Sequence, residues 1–376
     1  MSRGLPRGLA LAAGAGVLGL GLVLAVSQWS GQEDRWRWGF VDGTGRIVVP
    51  TALEGARGFQ NGRAAALLGG AWGFVDRSGV FVVPPRFRQL CDYGGTEPTC
   101  AQDAASGEWG YIDETGAWVF DQRWAVAHPM VDGLAAVGEV VGEGAPRIGA
   151  GPTRLVHFGL LARDGTLGVP IRPEGDPQAW TAVGAWGEGL LPVQVGGKRY
   201  GYVDRSGAFV LDPFYKAAKP FLNGFAGVSG SGGWAVVARD GTVVVPESSK
   251  GLADGASEGL IAGPTGYFAV DGTPVGPRFE WVRPHVGGLG AVFASGTWGF
   301  VDTAVELVIP REYRRVSDFS DGRAVAAVPG VAPQPFRWGI VDTTGAWVVE
   351  PRWDAADESG FHEGLLAVGI APEEAP

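Results

Sequence analysis

Trp72-Gly73-Phe74-Val75-Asp76-Arg77-Ser78-Gly79-Val80-Phe81-Val82-Val83-Pro84 reads as one antiparallel hairpin. The side chains of W-G-F-V-D alternate between two faces, Asp76 to Gly79 turns the chain, Val80 to Val83 returns, and Pro84-Pro85 stops the run. The aspartate caps the turn through its side chain, and the glycine takes the positive φ needed after a type I turn. The glycine after the tryptophan leaves one face of the strand bare, which suits close approach of a neighbouring sheet.

The same segment recurs as Trp38-Gly39-Phe40-Val41-Asp42, Trp109-Gly110-Tyr111-Ile112-Asp113, Tyr200-Gly201-Tyr202-Val203-Asp204, Trp298-Gly299-Phe300-Val301-Asp302 and Trp338-Gly339-Ile340-Val341-Asp342. Weaker copies lie at Phe158-Gly159-Leu160-Leu161, at Trp234-Ala235-Val236-Val237 and near Tyr267-Phe268-Ala269-Val270, which makes about nine. Seven residues after the lead aromatic stands a glycine in seven copies: Gly45, Gly79, Gly116, Gly165, Gly207, Gly241 and Gly345. A second short strand precedes the lead aromatics, as in Gly62-Arg63-Ala64-Ala65, Gly133-Leu134-Ala135-Ala136-Val137, Gly224-Phe225-Ala226-Gly227-Val228 and Gly364-Leu365-Leu366-Ala367-Val368.

These W-G-F-V-D, G-x-x-V-V-P and F-x-x-G-L-A-x-V elements resemble the bacterial WG-repeat family from Trp38 to Val368, with local departures at Ala235 and Val305. The resemblance implies a β-rich binding or interaction module and supplies no catalytic activity. Trp38, Trp72, Trp109, Tyr200, Trp234, Trp298 and Trp338 are its structural signature.

Each unit spans about 37 residues as an antiparallel meander of three strands with room for a fourth. Such a unit cannot bury its own faces and must stack on its neighbours. The expected fold is all-β and propeller-like, because the chain opens on a WG strand and ends on the strand that would precede one. An open β superhelix or two smaller propellers would show the same ends.

Residues 1–30 differ from this array. Arg3 and Arg7 precede an uncharged run from Gly8 to Val26, the pattern of a secretory signal. Nineteen helical residues would also span about 28 Å, close to a bilayer core, so a retained hydrophobic helix attaching the chain through residues 8–26 is the other reading. Both place the array, residues 31–370, outside the cytoplasm, secreted, periplasmic or membrane-anchored. Residues 371–376 are expected to be a disordered tail.

Composition bounds function. The formal charge of −10 is spread without a basic cluster, which argues against nucleic acid. Glycine numbers 64 and proline 26 of 376, yet 45% of residues are apolar and 15 are tryptophan, so many short strands and tight turns fit better than disorder. Cys91 and Cys100 flank the place where the second motif fails and are expected to form a disulfide. His128, His157, His285 and His362 sit at unrelated repeat positions and form no metal or triad motif, and the recurrent aspartates are turn caps. No catalytic, cofactor or metal site is expected.

Insertions at Gly138 to Val156, Ile171 to Ala185 and Pro329 to Arg337 break the period. Trp180, Trp186 and Trp281 fall outside the lead-aromatic register and are candidate surface binding residues, against the plainer reading that they pack between units. The leading functional expectation is a non-enzymatic protein-interaction or scaffold module at the cell envelope. The alternatives are a lectin-like binder of an envelope glycan and, third, a hydrolase using Asp132, Glu188 or Glu258.

Overall fold

The computed structural model describes residues 36–144, 153–249, 252–332 and 334–372. The expected N-terminal hydrophobic segment lies outside the described residues, as do residues 373–376 of the expected tail. Among the described residues the structure is all-β, and no helix is long and apolar enough to cross a membrane.

Nine antiparallel units follow one another among the described residues. Unit 2 shows the plan, with strands Gly55–Ala56, Arg63–Leu68, Ala71–Asp76 and Phe81–Leu90 paired in chain order. The W-G-F-V-D segment is always the third strand. Unit 1 is completed from both ends of the sequence: Ala355–Ala356 and Leu365–Ile370 supply its first two strands, Arg37–Asp42 and Ile47–Leu53 the others. Arg37 to Asp42 pairs with Ile370 to Leu365 over six consecutive residues.

The third strand is buried on both faces because its third and fourth residues serve different neighbours. Phe40 packs with Phe59, Ala64 and Val75 of unit 2, whereas Val41 packs with Val325, Ala327 and Ile340 of unit 9. Phe74 likewise faces unit 3 and Val75 faces unit 1. The core is therefore divided into nine clusters, each drawn from two successive units, and one of them joins unit 9 to unit 1.

At three joints a ring two positions before the turn between first and second strands plugs the gap. Phe59 meets Phe40, Phe221 meets Tyr202 and Phe319 meets Phe300, all edge-on at 4.7–4.8 Å between centroids. Such pairs contribute about 1 kcal/mol beyond the area they bury.

The glycine after the lead tryptophan has a different cause from the one expected. No neighbouring sheet lies over it; the fourth strand of its own unit does. Trp72 opposes Phe87 and Phe74 opposes Val83, so the fourth strand bulges over Gly73. A Cβ there would lie 2.4 Å from the Val83 carbonyl oxygen. Where Ala235 replaces the glycine, the bulge is one residue shorter: Trp234 opposes Ser248 and Val236 opposes Val245. Proline sits in these outer strands at Pro50, Pro84, Pro213, Pro310 and Pro351, removing donors from edges that would otherwise recruit another strand.

The hairpin turn follows the sequence closely. The Asp76 carboxylate accepts from the Ser78 amide at 2.9 Å and the Ser78 hydroxyl at 2.6 Å, and Gly79 has φ +85°. In units 4, 6 and 7 the capping residue is Asp164, Asp240 or Asp271, each bonded to the threonine amide two residues on. Gly79 also receives Val49 of the preceding unit, whose Cγ1 would lie 2.8 Å from an added Cβ. At the joint of units 7 and 8 the sizes are exchanged: Val305 holds the turn at φ +62° and packs onto Gly276.

Tyr267 is not a lead aromatic. Its hydroxyl donates to the Arg283 carbonyl as those of Tyr111 and Tyr202 donate to the His128 and Lys219 carbonyls, which places it at the third position of the W-G-F-V-D segment, within strand Gly266–Ala269.

If the bulge dictates glycine, Gly73→Ala should cost about 2 kcal/mol or more, whereas Ala235→Gly should cost about 1 kcal/mol or less, read from chemical unfolding midpoints.

Candidate functional site

Strand order gives every unit two unlike ends. The turn between its first and second strands and the Asp-Gly turn between third and fourth lie at one end. The turn between second and third strands and the crossover to the next unit lie at the other.

The first end is spent on holding the units together. Its first turns place two consecutive residues at positive φ, as at Asn61-Gly62, Asp132-Gly133, Glu188-Gly189, Glu258-Gly259 and Glu363-Gly364. Where the first residue is glutamate, its carboxylate reaches the next unit's turn: Glu363 accepts from the Gly62 amide, Glu188 from Gly224 and Glu258 from Gly288, at 3.0–3.2 Å. Arg77 and Arg239 add ion pairs to Glu363 and Glu188. Asp132 pairs with Arg205 at 3.4 Å. Asp132, Glu188 and Glu258 thus stand in three different units, each engaged by the following one, and the structure brings no two of them together.

Unit 3 departs from this pattern. Its second strand is present, as Thr99–Asp103, so the motif fails only in its turn. The loop that replaces the turn is closed by the Cys91–Cys100 disulfide, with Cα atoms 5.3 Å apart. Asn61 of unit 2 donates to the Tyr93 carbonyl, and Arg163 of unit 4 reaches the Thr96 carbonyl and Glu97.

All three insertions emerge at the other end. Two lengthen the turn between second and third strands, within Leu134–Gly144 and Thr153–Ala162 of unit 4 and Arg323–Pro329 and Phe336–Asp342 of unit 9. The third, Ile171 to Ala185, is the crossover into Trp180–Val183.

Of the three candidate surface tryptophans, two are corrected. Trp180 is buried and pairs with Phe158, fusing the sheets of units 4 and 5. Trp186 occupies the joint-plug position of Phe59, half-buried against that core with its Nε1 sealed from solvent. Trp186 belongs to a second aromatic register, the F-x-x-G one, and packing claims both.

Trp281 remains at the surface. It stacks on Phe293, 4.8 Å between centroids and 17° between planes, and Phe293 lies 5.2 Å from the lead aromatic Trp298. The three are cross-strand neighbours and all half-buried. At the corresponding places unit 6 has Ala217 and Ser229, and unit 1 has Ala355 and Gly369.

A basic group backs several lead aromatics. Arg57 lies over Trp72, Lys219 over Trp234 and Arg283 over Trp298, at 4.7–5.2 Å from the ring centroids. Each pairs with an acid of the next unit: Asp92, Asp254 or Asp318. Burial pushes the Asp318 carboxyl above the ordinary carboxylate range, with Arg283 opposing it. His128 takes the same position in unit 4, edge-on to Phe158 at 5.8 Å. No carboxylate among the described residues is paired with it, its Nε2 is sealed from solvent although the residue as a whole is only half-buried, and desolvation pulls its pKa down to about 4. His157 and His285 are buried, bonded to the carbonyls of Arg172 and Asp302. His362 meets the Ser359 hydroxyl at 2.7 Å. Among the described residues no group of three or more His, Cys, Asp or Glu could hold a metal ion. The two ends together offer apolar and aromatic contact.

The model of the WG containing repeat matches residues 38–70, 72–90, 109–138, 200–234, 298–328 and 338–370. No curated protein matches the chain. Among solved structures, BamB from Moraxella catarrhalis is 12% identical, with 90% of this chain and 91% of that one covered and a TM-score of 0.39. A eukaryotic initiation factor is 11% identical over 83% and 95%, at a TM-score of 0.40. Hsv2 from Kluyveromyces lactis is 10% identical over 76% and 96%, at 0.37.

The state of His128 gives a pH dependence of known sign. Its folded pKa is depressed below the unfolded value of about 6.5, so the unfolded chain binds the extra proton. Stability contributed by the neutral ring should be intact above pH ~6.5 and fall between there and pH ~4, by on the order of 2 kcal/mol. Thermal melting across that range should show the loss, and His128→Gln should lack it.

Proposed function

The chain belongs to the family of proteins built from the WG containing repeat, and from that premise we propose that it is a non-enzymatic interaction module. Its nine units close into one propeller-like ring, and the insertion-bearing end is its recognition face. One observation carries this reading: the three insertions and the half-buried Trp281–Phe293–Trp298 wall share one end, while the turns of the other are stapled unit to unit. Loops on a rigid scaffold are where binding residues concentrate, and such loops can vary here without disturbing a joint.

Closure is supported by the pairing of Arg37–Asp42 with Leu365–Ile370, and by a joint between units 9 and 1 built like the other eight. An open array or two smaller rings would leave that strand pair unexplained. The bound partner in this reading is another protein. An envelope glycan is the second reading, favoured by the surface position of Trp281, since half-exposed indoles suit sugar faces. Asp132, Glu188 and Glu258 weigh against a hydrolase, because each is engaged in a turn contact.

We further propose that the array works outside the cytoplasm. The Arg3 and Arg7 flank, the apolar run from Gly8 to Val26 and the Cys91–Cys100 disulfide support this.

Three outcomes are expected. Removing Leu365 to the C-terminus should abolish cooperative melting and promote aggregation; unchanged melting would favour an open array. Replacing Val331 to Pro335 with a Gly-Gly turn should leave melting intact and eliminate a specific partner from envelope pull-downs, whereas retention of that partner would move the recognition face elsewhere. Alkaline phosphatase fused after residue 372 should be active in cells, and inactivity would overturn export.

A further inference from the structure

Unit 8 departs from its neighbours in a way that packing does not require. Where unit 6 places Ala217 and Ser229 beside its lead aromatic, unit 8 places Trp281 and Phe293, and all three rings of its row stay half-buried. A cluster of rings kept partly wet is the signature of a contact surface rather than of a core. The wall faces unit 9: Arg283 lies over Trp298 and pairs with Asp318 of that unit at 3.5 Å.

The charges around the wall differ from those of the whole chain. Net charge is −10, yet the segments entering and leaving unit 8 carry Arg278 and Arg314, both exposed and neither ion-paired with another described residue. Arg314 donates to the Gly296 carbonyl at 3.3 Å, which holds its guanidinium beside the turn that ends the wall. The acid that enters unit 8, Glu280, accepts from the Ser295 amide of that turn at 2.9 Å. On the unit 9 side rises the inserted hairpin, with Val331 82% exposed at its tip.

We propose that this wall docks an acidic segment of a partner protein, in which an aromatic or aliphatic side chain is flanked by Asp or Glu. The inference rests on the reading of the insertion-bearing end as the recognition face and specifies its partner chemistry. The rings supply a low-entropy apolar contact, and Arg314 and Arg278 supply the planar donors that suit carboxylates. Charge complementarity selects the partner's sign: an acidic segment is attracted to these two arginines although the chain as a whole repels it.

The test uses the full chain against an immobilised set of short peptides that permute acidic, basic and apolar positions. Peptides with an aromatic between acids should be retained, more weakly as salt rises. Trp281→Ala should weaken them about tenfold or more, and Arg314→Glu should shift retention toward basic peptides, both with unchanged melting. Preference for basic or uncharged peptides by the parent chain, or indifference to both substitutions, would overturn the proposal. Loss of binding on shortening the unit 9 hairpin, without effect of either substitution, would overturn it while leaving the recognition face in place. Retention of glycans on a sugar array that Trp281→Ala removes, with peptides silent, would reassign the wall to the glycan reading and overturn the protein partner. Silence toward peptides, glycans and envelope proteins alike would overturn both readings.

Discussion

A four-stranded unit of this size has two apolar faces and can cover neither by itself. That constraint appears in two adjacent residues of every third strand, such as Phe40 and Val41, which point into different cores. A strand with one solvated face would need only alternate apolar positions; this one needs a continuous pair. Each unit is consequently stabilised by its neighbours, and a terminal unit left without one would expose a whole face. Unit 1 avoids this by drawing its first two strands from the C-terminal segment, so Val41 meets Val325 and Ile340 as Val75 meets the core of the unit before it.

The two ends of the units carry different loads for the same reason. In three units a glutamate of the turn between first and second strands bonds the next unit's glycine amide, which holds that turn short; unit 3 departs, with a longer loop closed by the Cys91–Cys100 disulfide. Turns between second and third strands lie at the opposite end, where the paired strands of units 4 and 9 run long. The three insertions share one end, which is how a repeat scaffold acquires a distinct face without loss of packing.

Much of this was legible in the sequence. W-G-F-V-D, the Asp-x-x-Gly turn and the C-terminal G-L-L-A-V strand each state a local backbone requirement, and local requirements survive without knowledge of the neighbours. What was not legible depended on contacts across a joint or a bulge. The bare face of Gly73 was correctly read, but the body that occupies it is the unit's own fourth strand, and no pattern in Val83-Pro84-Pro85 declares a fold-back of that size. Trp186 falls outside the lead-aromatic register, and the F-x-x-G element that fixes Phe59, Phe221 and Phe319 also fixes Trp186. The stapled glutamates had a signal as well, since Asn61-Gly62 and Asp132-Gly133 are dipeptides typical of two-residue turns, and Glu188, Glu258 and Glu363 share their place.

The weak copies show what the fold conserves. At the joint of units 7 and 8 the turn glycine has become Val305, a β-branched residue at positive φ, where the backbone alone would exclude it. Elsewhere the turn glycine receives a bulky side chain of the preceding unit, Val49 against Gly79 or Ile309 against Gly345. Here the preceding unit offers Gly276, and the isopropyl group comes from the turn instead. One large and one absent side chain meet in each case, so the volume of the joint is kept while residue identities cross over. Ala235 is accommodated differently, within its own unit, by a bulge one residue shorter. Close packing between units therefore constrains the summed volume at a joint more than the identity of either residue.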